Sequence, residues 1–263
     1  MKYTVLTLFP EITDAYFSTS IIAKAIQRGI ISYQAINIRD FALDRHKTCD
    51  DAPYGGGPGM LMLPEPLSRA LEAAGAQKKS PGRVAGEKRV VYLSPSGRPF
   101  NQELARELAL ERELVLVAGR YEGIDHRVID LYIDDEVCVG DYVLSSGEVA
   151  ALAVIDATYR LVDRVITPES LDEESFSGGL LEYPQYTRPE IFDTIKVPEV
   201  LLSGHHENIR KWRLEKRIEK TLRFRKDLIQ KGREQGLFDK ETNSMIDRQV
   251  PAEGDKDERN QGN

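Results

Sequence analysis

The order of hydrophobic and polar positions alternates between two patterns over roughly the first 165 residues. Short apolar runs typical of buried strands are separated by stretches with the spacing of amphipathic helices. The predicted strands cover residues 3–9, 31–38, 89–93, 113–118 and 134–139, and the clearest predicted helices cover 10–29, 64–74, a stretch from about 99, and 147–163. This alternation predicts an α/β domain over residues 1–165, with a parallel sheet covered on both faces.

The pattern changes on the C-terminal side of this domain. Residues 166–179 are acidic and contain glycine and serine, which predicts a flexible interdomain linker. Residues 180–245 predict a small all-helical domain, with a basic amphipathic helix at about 205–229. Residues 246–263 are polar with little periodicity, so we predict a disordered tail there.

Composition narrows the class of protein. With 263 residues, of which 41% are hydrophobic and 30% charged, the chain has the balance of a soluble globular protein. Its longest uninterrupted apolar run, 149–155, is far shorter than the roughly 20 residues of a membrane-spanning helix. Cys49 and Cys138 form no CxxC pair, and the N-terminal apolar run is too short for a signal peptide. We therefore expect a cytoplasmic protein with free thiols and no membrane contact.

Charge is distributed unevenly along the chain. The net charge of −7 argues against nucleic-acid binding, which usually needs a basic surface. However, residues 205–233 contain 11 Lys and Arg against four acids, a net +7, whereas residues 165–187 contain five acids and no Lys or Arg. A basic helix is more often a solvated face than an RNA contact, so charge alone leaves both interpretations open.

Glycine-rich turns follow three of the predicted strands, at residues 94–98, 119–123 and 140–147. Each alone is an ordinary βα turn. Three of them after adjacent strands would gather small residues and backbone amides at one edge of the sheet, which predicts a ligand site there. A further glycine run, 54–60, lacks the lysine of a P-loop and the GxGxxG spacing, so a tight turn explains it at least as well as a phosphate site.

Several charged residues admit two interpretations. Arg160 falls in the predicted helix near Asp156 and Asp163, a spacing that favours a surface ion pair over a role at developing negative charge. Among the acids of the predicted linker, Asp172 and Glu174 fit a solvated helix start as well as catalysis. The histidines and cysteines lack the spacing of metal ligands, so no metal site is predicted.

Six motifs occur in order along the chain and together resemble one family. They are PYGGGPGM (53–60), LSPSGRPFNQ (93–102), AGRYEGIDHRV (118–128), GDYVLSSGE (140–148), YPQYTRP (183–189) and LSGHHENIRKWR (202–213). On these residues the chain resembles the bacterial tRNA (guanine-N(1)-)-methyltransferases, the TrmD family of SPOUT trefoil-knot methyltransferases. The resemblance extends from residue 1 to about residue 237.

The resemblance implies a trefoil-knotted α/β methyltransferase domain, a flexible linker and a helical tRNA-binding domain. It also implies a homodimer with the active site at the subunit interface, and S-adenosyl-L-methionine as the methyl donor. Magnesium is suggested by the family alone. The implied donor-binding residues come from the three glycine-rich turns and are Leu93, Ser94, Pro95, Gly97, Gly119, Tyr121, Gly123, Val139, Gly140, Asp141, Tyr142, Val143, Leu144 and Gly147.

The implied reaction is methyl transfer to N(1) of the guanosine immediately 3′ of the anticodon in tRNA. N(1) carries a proton at neutral pH, so a base must remove it while a fixed guanidinium stabilises the charge that builds on the exocyclic oxygen. By resemblance, Arg160 supplies the guanidinium and the acid before Ser175-Phe176 is the base. The family has aspartate there and this chain has Glu174, with Asp172 as a less favoured substitute.

The glutamate at position 174 also leaves open an alternative function, that of a catalytically weak RNA-binding relative. Ser146 and Ala150 stand where the family usually has glycine and proline, so the affinity for the donor is expected to differ from the family's norm. With a tRNA substrate implied, the basic helix becomes a predicted RNA contact. The predicted RNA-binding residues are Arg210, Lys211, Arg213, Arg217 and Arg223.

Overall fold

The computed structural model describes residues 1–79, 88–167 and 174–250. The chain packs as two compact units, Met1–Ile166 and Thr167–Asn263. Apolar side chains form two clusters in the first unit and a third in the second. Each unit therefore has its own hydrophobic core.

A parallel sheet forms the centre of the first unit. The strands of this unit are β1 (Lys2–Thr7), β2 (Ser32–Asn37), β3 (Asp50–Asp51), β4 (Leu61–Met62), β5 (Arg89–Pro99), β6 (Glu113–Val117) and β7 (Asp135–Cys138). Five of them pair in parallel in the order β2-β1-β6-β5-β7, while β3 and β4 form a separate antiparallel pair. This arrangement confirms the predicted α/β fold with a parallel sheet.

Helices cover both faces of this sheet. They are α1 (Pro10–Phe17), α2 (Ser20–Gln27), α3 (Pro64–Ala73), α4 (Gln102–Ala109), α5 (His126–Tyr132) and α6 (Gly147–Tyr159). Within β6, Leu114 and Leu116 pack with α1, α2, α4 and α6, whereas Val115 and Val117 pack with α3 and α5. Because successive side chains of a strand point to opposite faces, both faces of β6 are apolar, and the strand is a continuous hydrophobic run.

Strand β5 extends beyond the predicted turn and through the predicted helix start. Leu93 and Arg98 both pair with Val137 of β7, so residues 94–97 form an irregular loop out of register. Helix α4 begins only at Gln102, because the side-chain oxygen of Asn101 caps it by accepting a hydrogen bond from the Leu104 amide at 2.9 Å. The predicted helix is present, but its predicted start at about residue 99 was too early, because Pro99 still belongs to β5.

The second unit is not all-helical, which corrects the prediction. Its elements are β8 (Ile191–Phe192), β9 (Ile195–Lys196), α7 (Glu199–Leu202), α8 (His206–Phe224), α9 (Lys226–Glu234) and α10 (Lys240–Gln249). Strands β8 and β9 form an antiparallel hairpin, with Asp193 in the left-handed conformation that a tight turn needs. The basic helix predicted at 205–229 is two helices, because the backbone of Arg225 (φ −144°, ψ 59°) is not helical.

The start of the predicted disordered tail, at residue 246, was also wrong. Helix α10 continues to Gln249, and Ile246 is fully buried with Leu180, Ile218, Ile229 and Phe238. Ile246 enters this core and Met245 of the same helix packs against it, which docks the otherwise polar helix. Residues 251–263 of the predicted tail and 168–173 of the predicted linker lie outside the described residues.

Replacing Ile246 with alanine is expected to lower the free energy of unfolding of the second unit by about 2–4 kcal/mol, since a buried isoleucine would leave a cavity. Trp212 is the chain's single tryptophan and lies in this unit, so its fluorescence during denaturant unfolding reports on it. Leu237→Ala is the control, because Leu237 is 49% exposed. A cost below about 1 kcal/mol for Ile246→Ala would show that α10 is not docked.

Candidate active site

A cavity of about 390 Å³ lies where β6 and β7 end and where β5 leaves its register after Leu93. These strands are neighbours in the sheet, so the segments that follow them meet at one edge. The lining residues fall in 92–96, 119–123, 137–140, 142–147 and at Ala150. The three glycine-rich turns singled out in the sequence therefore come together around one cavity.

Twelve of the fourteen predicted donor-binding residues line this cavity. They are Leu93, Ser94, Pro95, Gly119, Tyr121, Gly123, Val139, Gly140, Tyr142, Val143, Leu144 and Gly147. The other two, Gly97 and Asp141, are not among the lining residues. A Cβ on Gly97 would lie 2.4 Å from the Val137 nitrogen, so close strand packing accounts for this glycine. The binding roles of all fourteen stay predictions.

Helix α6 begins against the end of β6, and glycine permits the approach. The Gly147 amide donates a hydrogen bond to the Gly119 carbonyl at 2.9 Å. A Cβ on Gly147 would lie 2.5 Å from the Gly119 nitrogen and 2.8 Å from the Ala118 carbonyl carbon. Any larger residue at position 147 would have to displace the backbone of two cavity walls.

Tyr121 forms part of the cavity wall in a left-handed conformation, with φ of 58°. This conformation is uncommon for a residue with a side chain, and strained residues of this kind often occur at functional sites. Burial raises the pKa of Tyr121, and a hydrogen bond to Asp50 raises it further, whereas Arg39 lowers it. The phenol is therefore held protonated beside the cavity.

A buried ion pair beside the cavity was missed in the sequence. Arg120 Nε lies 2.9 Å from Glu148 Oε2, and Glu148 is fully buried in the first turn of α6. Arg120 also lines the cavity. Both residues occur in the quoted motifs, but their separation along the chain gives no sign that they meet.

Arg160 lies at the C-cap of α6, because this helix ends at Tyr159 rather than at residue 163. The two acids that its spacing offered as partners are engaged elsewhere. Asp156 accepts a hydrogen bond from the Tyr16 hydroxyl, and Asp163 Oδ2 lies 3.9 Å from Arg164 Nε. The catalytic assignment of Arg160 stays a prediction.

Glu174 belongs to the second unit, whereas the residues that line the cavity belong to the first. It starts a tight turn in which its carbonyl accepts a hydrogen bond from the Ser177 amide at 3.0 Å. Phe176 follows in a left-handed conformation, and its amide donates to the Leu180 carbonyl at 2.9 Å. Its assignment as the base stays a prediction, and the substitute Asp172 lies outside the described residues.

The predicted RNA-binding residues on α8 have different surroundings. Arg210 and Lys211 both contact Glu207, at 3.0 and 3.4 Å, and Arg210 also lies 2.9 Å from Glu241. Hydrogen bonds from Arg210, with a smaller contribution from Lys211, lower the pKa of Glu207 to about 2. The charge of Arg210 is therefore partly neutralised by its own unit.

Aromatic rings lie beneath two of these arginines. The guanidinium carbon of Arg213 is 4.7 Å from the ring centre of Tyr183, and that of Arg223 is 4.9 Å from the ring centre of Phe224. Both arginines belong to the basic helix α8. A cation over an aromatic face gains attraction from the ring while keeping its charge.

Arg217 makes hydrogen bonds to the backbone that its place in the basic pattern does not predict. Its Nη2 donates to the Ser177 carbonyl at 2.8 Å, and its Nε donates to the Leu181 carbonyl at 3.3 Å. These bonds tie the segment after Glu174 to α8. The structure thus gives no support for Arg217 as an RNA contact.

Metal and membrane features were searched in the part of the chain that the structure describes. Among those residues, no three His, Cys, Asp or Glu side chains are grouped to hold a metal ion. None of the helices there is both long and apolar enough to cross a membrane.

The fold and the cavity define an α/β protein with a candidate ligand site where parallel strands of its sheet end. Comparison with known proteins identifies the family. The family described as tRNA (Guanine-1)-methyltransferase TrmD matches residues 1–231. The chain belongs to this family of methyltransferases, which confirms the resemblance of the six motifs.

Several curated proteins named tRNA (guanine-N(1)-)-methyltransferase are similar to the chain. The protein of Treponema denticola is 63% identical over 246 residues, which cover 94% of this chain and 98% of the relative. That of Treponema pallidum is 58% identical over 246 residues, 94% of this chain and 95% of the relative. That of Borreliella burgdorferi is 56% identical over 233 residues, 88% of this chain and 94% of the relative.

Proposed function

We propose that this chain transfers a methyl group from S-adenosyl-L-methionine to N(1) of the guanosine immediately 3′ of the anticodon in tRNA. The observation that carries the proposal is the meeting of three glycine-rich turns around one cavity in a member of this family. The alternative of a catalytically weak relative is not favoured, because proteins 56–63% identical to the chain are named as methyltransferases. Since its substrate is tRNA, we place the reaction in the cytoplasm.

The cavity fits the methyl donor in size and in chemistry. Its volume of about 390 Å³ falls within the usual range for small-molecule sites. Glycines at its wall allow backbone groups to approach a ligand closely, and the ring of Tyr142 packs against Gly140. When bound, S-adenosylmethionine supplies an electrophilic methyl group on a sulfonium. The twelve lining residues named above would hold and orient it.

The chain's own residues would then perform the proton chemistry. Glu174 removes the proton from N(1) of guanine, and Arg160 stabilises the negative charge that develops on the exocyclic oxygen. Holding N(1) of guanine in line with the methyl group supplies much of the remaining rate enhancement, because it removes the entropy cost of bringing the two reactants together. Magnesium is expected from the family alone.

We infer that the active protein is a homodimer with its site at the subunit interface. Apolar side chains by the cavity support this inference: Val143 on its wall is 87% exposed, and Val149 on α6 is 52% exposed. Exposed apolar surface beside a site is often covered by another protein surface. Sedimentation analysis at micromolar concentration is expected to give a dimer, and a purely monomeric protein would contradict the inference.

We also infer that the first unit contains the trefoil knot implied by the family. Two close contacts between segments far apart in the chain support it. Leu93 and Arg98 both pair with Val137, so the chain loops out and returns to the same point of β7. The first amide of α6 then donates to the Gly119 carbonyl at the end of β6. Such threading is rare among folds.

Incubation of the protein with labelled S-adenosylmethionine and unmodified tRNA tests the proposed function. Label is expected in tRNA with guanosine immediately 3′ of the anticodon and is expected to be absent when adenosine replaces it. Nuclease digestion should release 1-methylguanosine. Failure to label the guanosine substrate would refute the proposal.

Neutralising Lys211 and Arg223 together is expected to weaken tRNA binding and to reduce the slope of log affinity against log salt by about 1.5, since each phosphate contact contributes about 0.7–0.9. Both residues lie on the basic helix α8 and are exposed. The control pair is Lys24 and Arg28 of the first unit, also exposed. An unchanged slope for Lys211→Gln/Arg223→Gln would place the RNA contact elsewhere.

A further inference from the structure

A buried polar cluster connects β1, the turn after β6 and the first turn of α6. Glu148 and Thr7 are both fully buried. Glu148 Oε1 accepts a hydrogen bond from Thr7 Oγ1 at 2.5 Å, and Glu148 Oε2 lies 2.9 Å from Arg120 Nε. Burying a charge is costly unless it is paired, so the carboxylate and the guanidinium depend on each other.

The hydroxyl of Thr7 fixes which groups donate and which accept in this cluster. The Phe9 amide donates to Thr7 Oγ1 at 2.9 Å, which uses the oxygen as an acceptor. The hydroxyl hydrogen is then directed to Glu148, whose oxygen accepts. The carboxylate therefore accepts a hydrogen bond on one side and lies against a cation on the other. It also lies in the first turn of α6, where the helix dipole attracts negative charge.

Arg120 is held on two further sides. Its guanidinium carbon lies 4.5 Å from the centre of the Phe9 ring, and its amide donates to Met62 Sδ at 3.3 Å. Its Nε is completely buried and, within the described part of the chain, makes no hydrogen bond, so its 2.9 Å contact with Glu148 Oε2 is an ion pair only. Arg120 is also a lining residue of the cavity, and its side chain is 20% exposed. The ion pair and the Phe9 ring therefore restrict a side chain that keeps some exposure beside the cavity.

We propose that Glu148 and Thr7 are positioning residues for methyl transfer. They hold the Arg120 guanidinium at the cavity wall, where it meets an oxygen atom that carries negative charge, in either the donor's carboxylate or the RNA. A free arginine side chain would lose rotamer freedom each time it bound such an oxygen, whereas a fixed one would not. This inference rests on the proposed function.

A double-mutant cycle of Glu148→Gln and Arg120→Lys tests the coupling. Each single change is expected to reduce kcat/KM for methylation about 10- to 100-fold, because it misplaces a group that contacts the ligand. Because Glu148 acts through Arg120, the double variant is expected to be no slower than the slower single variant. Losses that multiply in the double variant would refute a positioning role.

The hydroxyl of Thr7 has its own conservative pair of variants. Thr7→Val keeps the shape but removes both the donor to Glu148 and the acceptor for the Phe9 amide, whereas Thr7→Ser keeps both. We expect Thr7→Val to lower kcat/KM at least fivefold and Thr7→Ser to stay within about threefold of wild type. Equal activities for Val and Ser would contradict the inference.

Glu113 supplies a matched control far from the cavity. It begins β6, accepts a hydrogen bond from Thr4 at 2.8 Å and pairs with Lys2 and Lys88 at 3.0 and 3.2 Å. Glu113→Gln thus breaks a similar partly buried cluster at the opposite end of the strand. It is expected to lower the melting temperature while kcat/KM stays within about twofold of wild type. A tenfold loss for Glu113→Gln would show that general destabilisation explains the effect of Glu148→Gln.

A measurement independent of turnover separates this inference from the proposed function. The buried Arg120 Nε–H is expected to exchange slowly with solvent by NMR in the wild type and at least tenfold faster in Glu148→Gln. Arg120→Lys also shows which ligand supplies the oxygen. If the donor's carboxylate supplies it, the dissociation constant of S-adenosylmethionine rises. If the RNA supplies it, the KM for tRNA rises. Absence of methylation by the wild type would refute the proposed function alone, whereas unchanged Nε–H exchange in Glu148→Gln would refute the inference.

Discussion

Replacing Glu174 with glutamine is expected to lower the single-turnover rate of methyl transfer about 10²- to 10⁴-fold, the usual contribution of a general base. The amide has nearly the same size as the carboxylate but cannot take the proton from N(1) of guanine. Rapid-quench measurement with saturating donor and excess enzyme isolates this step from binding.

Two further variants make the assignment of the base specific. Glu174→Asp restores the acid that the family usually has and is expected to retain activity within about tenfold, because only about 1.5 Å of reach is lost. Asp172→Asn is expected to stay within about threefold of wild type. Near-normal rates for Glu174→Gln would refute the assignment, and if Asp172→Asn were then slow, Asp172 would be the base.

Replacing Gly147 with alanine is expected to raise the dissociation constant of S-adenosylmethionine about 100-fold or more. The new Cβ would lie 2.5 Å from the Gly119 nitrogen, so either the start of α6 or the end of β6 must move. Both belong to the cavity wall, and a displacement of about 1 Å at a site can cost two orders of magnitude. Isothermal titration calorimetry with the donor measures the change.

Gly29→Ala is the control for loss of a glycine in itself. Gly29 has a positive φ of 69°, and a Cβ there would meet nothing within 4 Å. Its replacement is expected to cost about 1–2 kcal/mol of stability and to leave donor binding unchanged. Wild-type donor affinity in Gly147→Ala would show that the contact between α6 and β6 does not shape the site.

Local patterns predicted much of the first unit. Strand β6 was expected at 113–118 and spans Glu113–Val117, because a strand buried on both faces must be a short apolar run. The extension of β5 to Pro99 was missed, since those residues are polar and pair with β7 only by virtue of the sheet order. The break at Arg225 was missed because the local pattern predicts an uninterrupted helix: basic residues with good helix propensity continue across it.

The candidate site was predictable only in part. Glycines after three strands marked the turns, since turns need residues without steric restriction. The surroundings of individual charged side chains were not predictable. Arg217 fitted the basic pattern and proved to hold backbone carbonyls, while Arg120 and Glu148 drew no attention although they form a buried pair. Charge and spacing alone do not reveal which side chains are buried together.

The sequence by itself determined the alternation of strands and helices, the glycine-rich turns and, through six ordered motifs, the family. These features depend on burial and backbone conformation over a few neighbouring residues. The sequence also predicted that these turns meet at one edge of the sheet. Only the tertiary structure decided that Gly147 must be glycine and that Thr7 and Arg120 meet at Glu148. Such contacts join segments far apart in the chain, so they depend on strand order and on how closely two backbones approach.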